Sequence, residues 1–159
     1  MAVMAKRLRD EIRQHKPFAS LEQEALLNVL RTADVLMQRL TAVLKPFNLS
    51  HSQYNVLRIL RGAGADGLAC QDVAERMITR DPDITRLLDR LETRGLVTRA
   101  RDQKDRRVVV ARITPDGEGL LEALDQPIAE VDRQPFQHLG EQRLRTLIQL
   151  LELAREQGG

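Results

Sequence analysis

The sequence has no tryptophan, one tyrosine and three phenylalanines, so aromatics make up only 3% of it. That excludes the aromatic platforms on which single-stranded nucleic acid or sugar rings stack. A single cysteine, Cys70, rules out a disulfide within the chain and fits a reducing compartment. The histidines His15, His51 and His138 lie far apart, and no His/Cys/Asp spacing resembles a metal site. There is no Ser-His-Asp order, glycine-rich phosphate loop or paired-carboxylate motif, so neither an enzyme nor a bound cofactor is expected. No apolar run approaches the roughly 20 residues needed to span a bilayer. The charged start MAVMAKRLRDEIRQHK lacks the apolar centre of a signal peptide. A cytoplasmic protein with no membrane partner is the simplest expectation.

What is present points to one domain, with or without extended arms. The 159 residues suffice for a core without staples. Hydrophobic residues at 42% and charged residues at 30% fit a globular helical chain rather than a disordered one. The net charge of +2 conceals an asymmetry. From Arg76 to Arg112, eleven Arg and Lys face six Asp and Glu; from Thr114 onward, four face nine. A basic middle suits a polyanionic partner, and an acidic tail suits something else.

Helical punctuation is legible along the chain. Residues 1–19 read as a short helix or ordered arm that breaks at Pro17. Ser20 and Gln23 form a capping-box pattern. Leu26, Val29, Leu30, Ala33, Leu36, Met37, Leu40, Val43 and Leu44 then recur at helical spacing until Pro46 bars continuation. So long a helix with one apolar stripe hints at a partner helix. Ser50 and Gln53 repeat the capping box and open a second helix, which Gly62 is expected to end. GAGADG reads as loop, CQDVAERM as a short helix, and ITRDP as a turn with Pro82 at the first position of the next helix. That helix, DITRLLDRLETR, ends at Gly95. Residues 96–101 and 107–113 read as strands around a DQKD turn. Thr114-Pro115 starts a helix to about Arg133, with a kink expected at Pro127, and Gly140 to Arg155 is the last. The fold class is therefore mainly α with a small β-hairpin.

Helix, turn, helix and hairpin over residues 70–113 is the layout of a winged helix-turn-helix, in which the second helix enters the major groove and the hairpin flanks it. Ile84, Leu88 and Leu91, with Leu87 beside them, make the buried stripe of that helix. Asp83, Thr85, Arg86, Asp89, Arg90 and Thr93 lie on the other side. Arg86 and Arg90 are one turn apart, and arginine reads guanine bidentately. Thr79 and Arg80, in the turn, are placed for phosphate. The alternative for this helix alone is an ordinary solvated surface laced with ion pairs, for example Arg86 with Asp89, and the two readings weigh evenly. Asp81 and Asp83 suit a helix start but face phosphate poorly, unless one accepts a hydrogen bond from cytosine.

The hairpin tips the balance. Arg99, Arg101, Lys104, Arg106 and Arg107 cluster at and below its tip, as phosphate or minor-groove contact requires. Asp105 is expected to pair with Arg107 and shape the tip, leaving Arg106 for DNA.

The segment DRLETRGLVTRARDQKDRRVVVARITPDG, with its Asp-x-Arg pair (Asp105, Arg107), its strand into Ile113-Thr114 and then Gly117, resembles the MarR family of bacterial regulators. TRLLDRLETRGLV is similar to that family's recognition helix and its exit into the wing. The likeness extends over about residues 20–155. It implies a winged helix-turn-helix plus a helical dimerisation layer. Residues 1–49 would be the N-terminal arm and long dimerisation helix, 50–113 the DNA-binding lobe, and 114–159 the C-terminal dimerisation helices. The implied function is that of a sequence-specific regulator, a repressor, binding a pseudo-palindromic double-stranded DNA site as a homodimer. It also implies a small, often aromatic, anionic effector between dimer layer and lobes. Met37, His51, Tyr54 and Arg58 could face that cleft, although ordinary packing is the favoured reading for them. Ala69 stands where relatives often carry a capping Ser or Thr, which leaves the start of that helix less defined. Cys70 does not match the place of the family's peroxide-sensing cysteines and reads as a partly buried structural residue. The competing function is a winged-helix protein-interaction module that binds no DNA, since fold alone does not fix function; the basic middle weighs against it.

Overall fold

The structure is a computed structural model and describes residues 6–156. The chain packs as two compact units, Met1–Arg39 and Leu40–Gly159.

In the first unit, helix α1 (Leu8–Glu11) buries Leu8, and helix α2 (Leu21–Leu44) begins. The Ser20 hydroxyl accepts from Gln23 N–H at 3.1 Å, while the Gln23 side chain accepts from Ala19 N–H at 2.7 Å. The return arm of this cap thus lands one residue ahead of Ser20. Arg31 reaches Glu11 at 3.7 Å. Leu26, Val29 and Leu30 remain 58, 47 and 56% exposed, so the N-terminal half of the apolar stripe of α2 is uncovered, whereas Leu36 and Met37 are half-buried.

In the second unit, α2 ends by driving Leu44 into the core, and a 3-10 turn over Lys45–Phe47 accommodates Pro46. Asn48 takes the left-handed conformation, φ 52°, that closes the turn. Ser50 and Gln53 form a full capping box at the start of α3 (His51–Ala63). That helix ends at Ala63 with Gly64 at φ 67°, two residues later than Gly62 had suggested. Gly62 tolerates helical geometry, and the left-handed exit is made where the chain turns.

GAGADG proved more structured than a loop. It includes a 3-10 turn over Gly64–Asp66 and leads into strand β1 (Leu68–Ala69). The sheet has three strands in the order β1-β3-β2, all antiparallel, with β2 (Val97–Arg101) and β3 (Val109–Ile113) forming the hairpin. Register pairs Leu68 with Ala111 and Arg99 with Ala111 across the other edge. Strand β3 starts at Val109 rather than Arg107, because Asp105–Val108 closes the tip. A side chain at Gly67 would meet Arg112 and Val110, so β1 can approach β3 only with glycine there.

Helix α4 (Cys70–Arg76) follows β1 directly, and Ala69 gives it no side-chain cap. Helix α5 (Ile84–Thr93) starts two residues after Pro82, not on it. Asp83 is the cap, accepting from Arg86 N–H at 3.1 Å, and Asp81 accepts from Asp83 N–H at 2.9 Å. Asp81, which would cap a helix beginning at Pro82, accepts instead from Asp83 N–H, and Asp83 takes the capping position one turn before Leu87. Helix α6 (Pro115–Arg133) starts on Pro115 behind the Thr114 cap and continues through Pro127, and α7 (Glu141–Glu156) follows.

Leu57, Leu60, Val73, Leu88, Leu91, Val97 and Leu121 are fully enclosed, joining α3–α6 and the sheet in one core. Asn55 is the one buried polar residue among those described, and its side chain accepts from Ile78 N–H at 2.8 Å. That bond satisfies the amide oxygen and pins the turn between α4 and α5 to α3.

Candidate nucleic-acid interface

Helix α5 is built to be read from one side. Leu87, Leu88 and Leu91 are buried, and Thr85, Arg86, Asp89, Arg90 and Thr93 are exposed. Thr79 and Arg80 are exposed in the turn that precedes it, beside Ile78, which is 81% exposed. Asp83, at the helix start, has one carboxylate oxygen committed to the cap. Thr93 donates back to the Asp89 carbonyl at 2.9 Å. Among the described residues neither Arg86 nor Arg90 has an ion-pair partner. The intrahelical pair of Arg86 with Asp89, which would have marked a merely solvated face, is not formed.

Asp89 turns instead to Arg99. The Arg99 guanidinium donates to Asp89 Oδ1 and, at 3.3 Å, to Glu92 Oε2. Its side chain is 19% exposed. Arg99 therefore does not belong to the cationic finger in which the sequence grouped it. Burial works against its charge, but the two carboxylates outweigh that and hold it protonated.

The wing tip is a closed set of hydrogen bonds. Asp102 Oδ2 accepts from the amides of Lys104 (3.1 Å) and Asp105 (3.0 Å). Val108 N–H donates to the Asp105 carbonyl at 2.9 Å. Asp105 accepts from Arg107 N–H at 3.0 Å and takes two guanidinium hydrogen bonds from the same residue at 3.1 Å. The Arg107 guanidinium holds the Asp105 carboxyl below the usual carboxylate range. Arg101 donates to the Arg106 carbonyl at 2.7 Å, bracing the turn from the strand side. The Lys104 and Arg106 side chains are exposed and, among the described residues, unpaired by any carboxylate. The tip thus uses Asp102, Asp105, Arg101 and Arg107 to hold a shape that presents Lys104 and Arg106.

Beside α5 lies an open cavity of about 710 Å³, lined by Lys45, Arg86, Arg90 and Arg94 with Asp89 as its one carboxylate. Arg94 is committed, donating to the carbonyls of Asn48 (2.6 Å) and Phe47 (3.1 Å). The end of α5 is thereby tied to the chain leaving α2. Sequence reasoning missed Lys45, Arg94 and Asn55; only the position of Arg94 after the last helical turn gave a signal.

The set is a winged helix-turn-helix with cations on its helix and wing. The sequence profile of the MarR family matches residues 49–109, from the Leu before the α3 cap to the first residue of β3. The MarR transcription factor from Planctomyces limnophilus is 42% identical, with 86% of this chain and 99% of that one covered and a TM-score of 0.66. The chain belongs to the MarR family. Its members are transcriptional regulators, which is not an enzyme class. Among MarR relatives, the homoprotocatechuate degradative operon repressor of Escherichia coli is 28% identical over 78% of this chain and 82% of its own. NadR, solved in complex with 4-hydroxyphenylacetate, is 27% identical, with 87% of this chain and 97% of NadR covered and a TM-score of 0.70.

His51 is half-buried, and burial pushes its pKa below the ordinary value. Tyr54 is buried, with the Arg58 guanidinium 5.9 Å from its ring centre. Met37 belongs to the other unit. Cys70 is half-buried, and burial pushes its thiol up, away from reactivity. Among the described residues no His, Cys, Asp and Glu cluster could hold a metal ion, and no helix is long and apolar enough to cross a membrane.

Proposed function

We propose that the protein reads a pseudo-palindromic double-stranded DNA site as a homodimer and represses transcription from it, acting in the cytoplasm. The observation that carries this is the free state of Arg86 and Arg90 on the exposed face of α5, beside a wing whose tip presents Lys104 and Arg106. Thr85, Arg86 and Arg90 would meet base edges, with the spare oxygen of Asp83 at the groove entrance. Thr79, Arg80, Lys104 and Arg106 would meet phosphate. Arg101 and Arg107 would add charge near the duplex while holding the tip with Asp105. The uncovered apolar stripe of α2 (Leu26, Val29, Leu30) and the exposed apolar residues of α7 (Ile148, Leu150, Leu153) supply surface for a second copy. Repression follows the role named for the homoprotocatechuate operon relative.

A small aromatic carboxylate of the kind held by NadR would release the DNA. The four cations around the α5 cavity suit such an anion, and it would occupy guanidinium groups needed by DNA. The test is fluorescence anisotropy with duplexes from the region upstream of the protein's own gene. Specific binding that weakens steeply with salt is expected, because phosphate contacts release counterions. Binding that is absent, or equal on scrambled duplexes at every salt, would sink the reading.

A further inference from the structure

Arg99 stands on β2, opposite the exposed face of α5, and bridges Asp89 and Glu92 with two different nitrogens. Asp89 is three residues after Arg86 on the same helix, and residues so spaced are surface neighbours. Released from Arg99, the Asp89 carboxylate could turn to Arg86, which has the i,i+3 spacing of a helical ion pair. In the structure that pair is absent, and Arg86 has no carboxylate partner among the described residues.

We propose that Arg99 is a positioning residue for groove reading: by holding Asp89 against the wing it keeps Arg86 free for DNA and masks two carboxylates of the DNA-facing helix. The inference rests on the DNA-reading function above. An Arg86–Asp89 pair would harm binding in two ways, withdrawing one cation from the groove and leaving one anion turned toward phosphate. Arginine is required because its planar fork serves two carboxylates at once, where an ammonium acts as one point charge. The Arg99 side chain is 19% exposed, while its partners Asp89 and Glu92 are 56 and 42% exposed, so the bridge is anchored from the wing side and its carboxylates remain open to solvent and to screening by salt.

Arg99→Gln, Asp89→Asn and their double variant, each in the full chain, separate this role from a simple clamp. The first readout needs no DNA: solvent exchange of the Arg86 Nε proton, followed by nitrogen NMR. It should slow several-fold in Arg99→Gln, where Asp89 captures Arg86, and return to the wild-type rate in the double variant. The second readout is operator affinity at fixed salt. Arg99→Gln should lose about tenfold, within the range of one arginine–guanine contact, and the double variant should recover to within about threefold of wild type. Arg99→Lys, which keeps the charge and disturbs packing least, should fall between wild type and Arg99→Gln. A double variant as weak as Arg99→Gln would mean that Arg99 acts only as a clamp, overturning the proposal. So would an Arg86 proton that exchanges equally in wild type and Arg99→Gln. If wild type binds no operator while the proton pattern holds, the DNA reading falls and the capture of Asp89 by Arg99 stands.

Discussion

Gly117, in the first turn of α6, lies so close to the Leu96 carbonyl that a β-carbon there would collide with it and would stand 2.7 Å from the Ile113 side chain. The same carbonyl accepts from Thr114 N–H at 3.1 Å, and the Thr114 hydroxyl caps Gly117 and donates to the Gly95 carbonyl at 2.6 Å. The exit from the wing and the start of α6 are one junction. Gly117→Ala must displace backbone, and we expect it to destabilise the fold by about 1–3 kcal/mol. Urea unfolding measures this; a variant as stable as wild type would show that the junction yields.

Arg86 and Arg106 divide the work in the proposed complex. Arg106→Ala should weaken binding by a similar factor on every sequence and reduce the slope of log affinity against log salt by about 1. Arg86→Ala should flatten base preference at one position per half-site, at a cost of about 1–3 kcal/mol. Titrations across single-base operator variants distinguish the two, and identical profiles would refute the division.

The Asp105–Arg107 pair makes the wing tip acid-sensitive. The Asp105 carboxyl is held below its ordinary value by the Arg107 hydrogen bonds. A depressed carboxylate contributes order that is complete above its unfolded value of about 3.9 and is lost as pH falls through the folded one. The Arg107 amide, which donates to Asp105, should therefore stay protected from hydrogen exchange at neutral pH and lose protection below that window. Asp105→Asn should remove the pH dependence; a tip unchanged by acid in wild type would contradict this.

Leu30 tests the dimer. At 56% exposed in the middle of α2, it should be covered only by a second copy. Leu30→Glu is expected to shift sedimentation toward monomer and to lower operator affinity together, because each copy would then carry one half-site reader. Unchanged sedimentation would place the second copy elsewhere.

Much of this fold was legible because helical sequences announce their faces and their caps. Leu88 and Leu91 are enclosed as their spacing implied, and the Ser50–Gln53 box is formed. Strand β1 was not legible: two residues carry no alternation, and only Gly67, whose missing side chain lets Arg112 and Val110 approach, betrays the pairing. Pro82 misled because two aspartates could cap the helix: Asp81, with Pro82 as first residue, or Asp83, and the structure uses Asp83 while Asp81 accepts from the Asp83 amide. At the site, charge counting located the basic surface but could not say which cations were already engaged. Arg99 and Arg106 look alike along the chain, and only the fold brings Asp89 and Glu92 to one of them.

Strand β1, which leads into the helix pair, hydrogen-bonds to β3, which returns from the wing tip. Reader and flank are thus stitched into one plate, with Arg99 as a further stitch. Such a plate cannot re-aim its wing to suit a wider or narrower site. In the proposed homodimer, tolerance for operators of different spacing would come from the seam between the two copies, so inserting a base pair at the centre of the site should be forgiven more readily than inserting one between the helix contact and the wing contact.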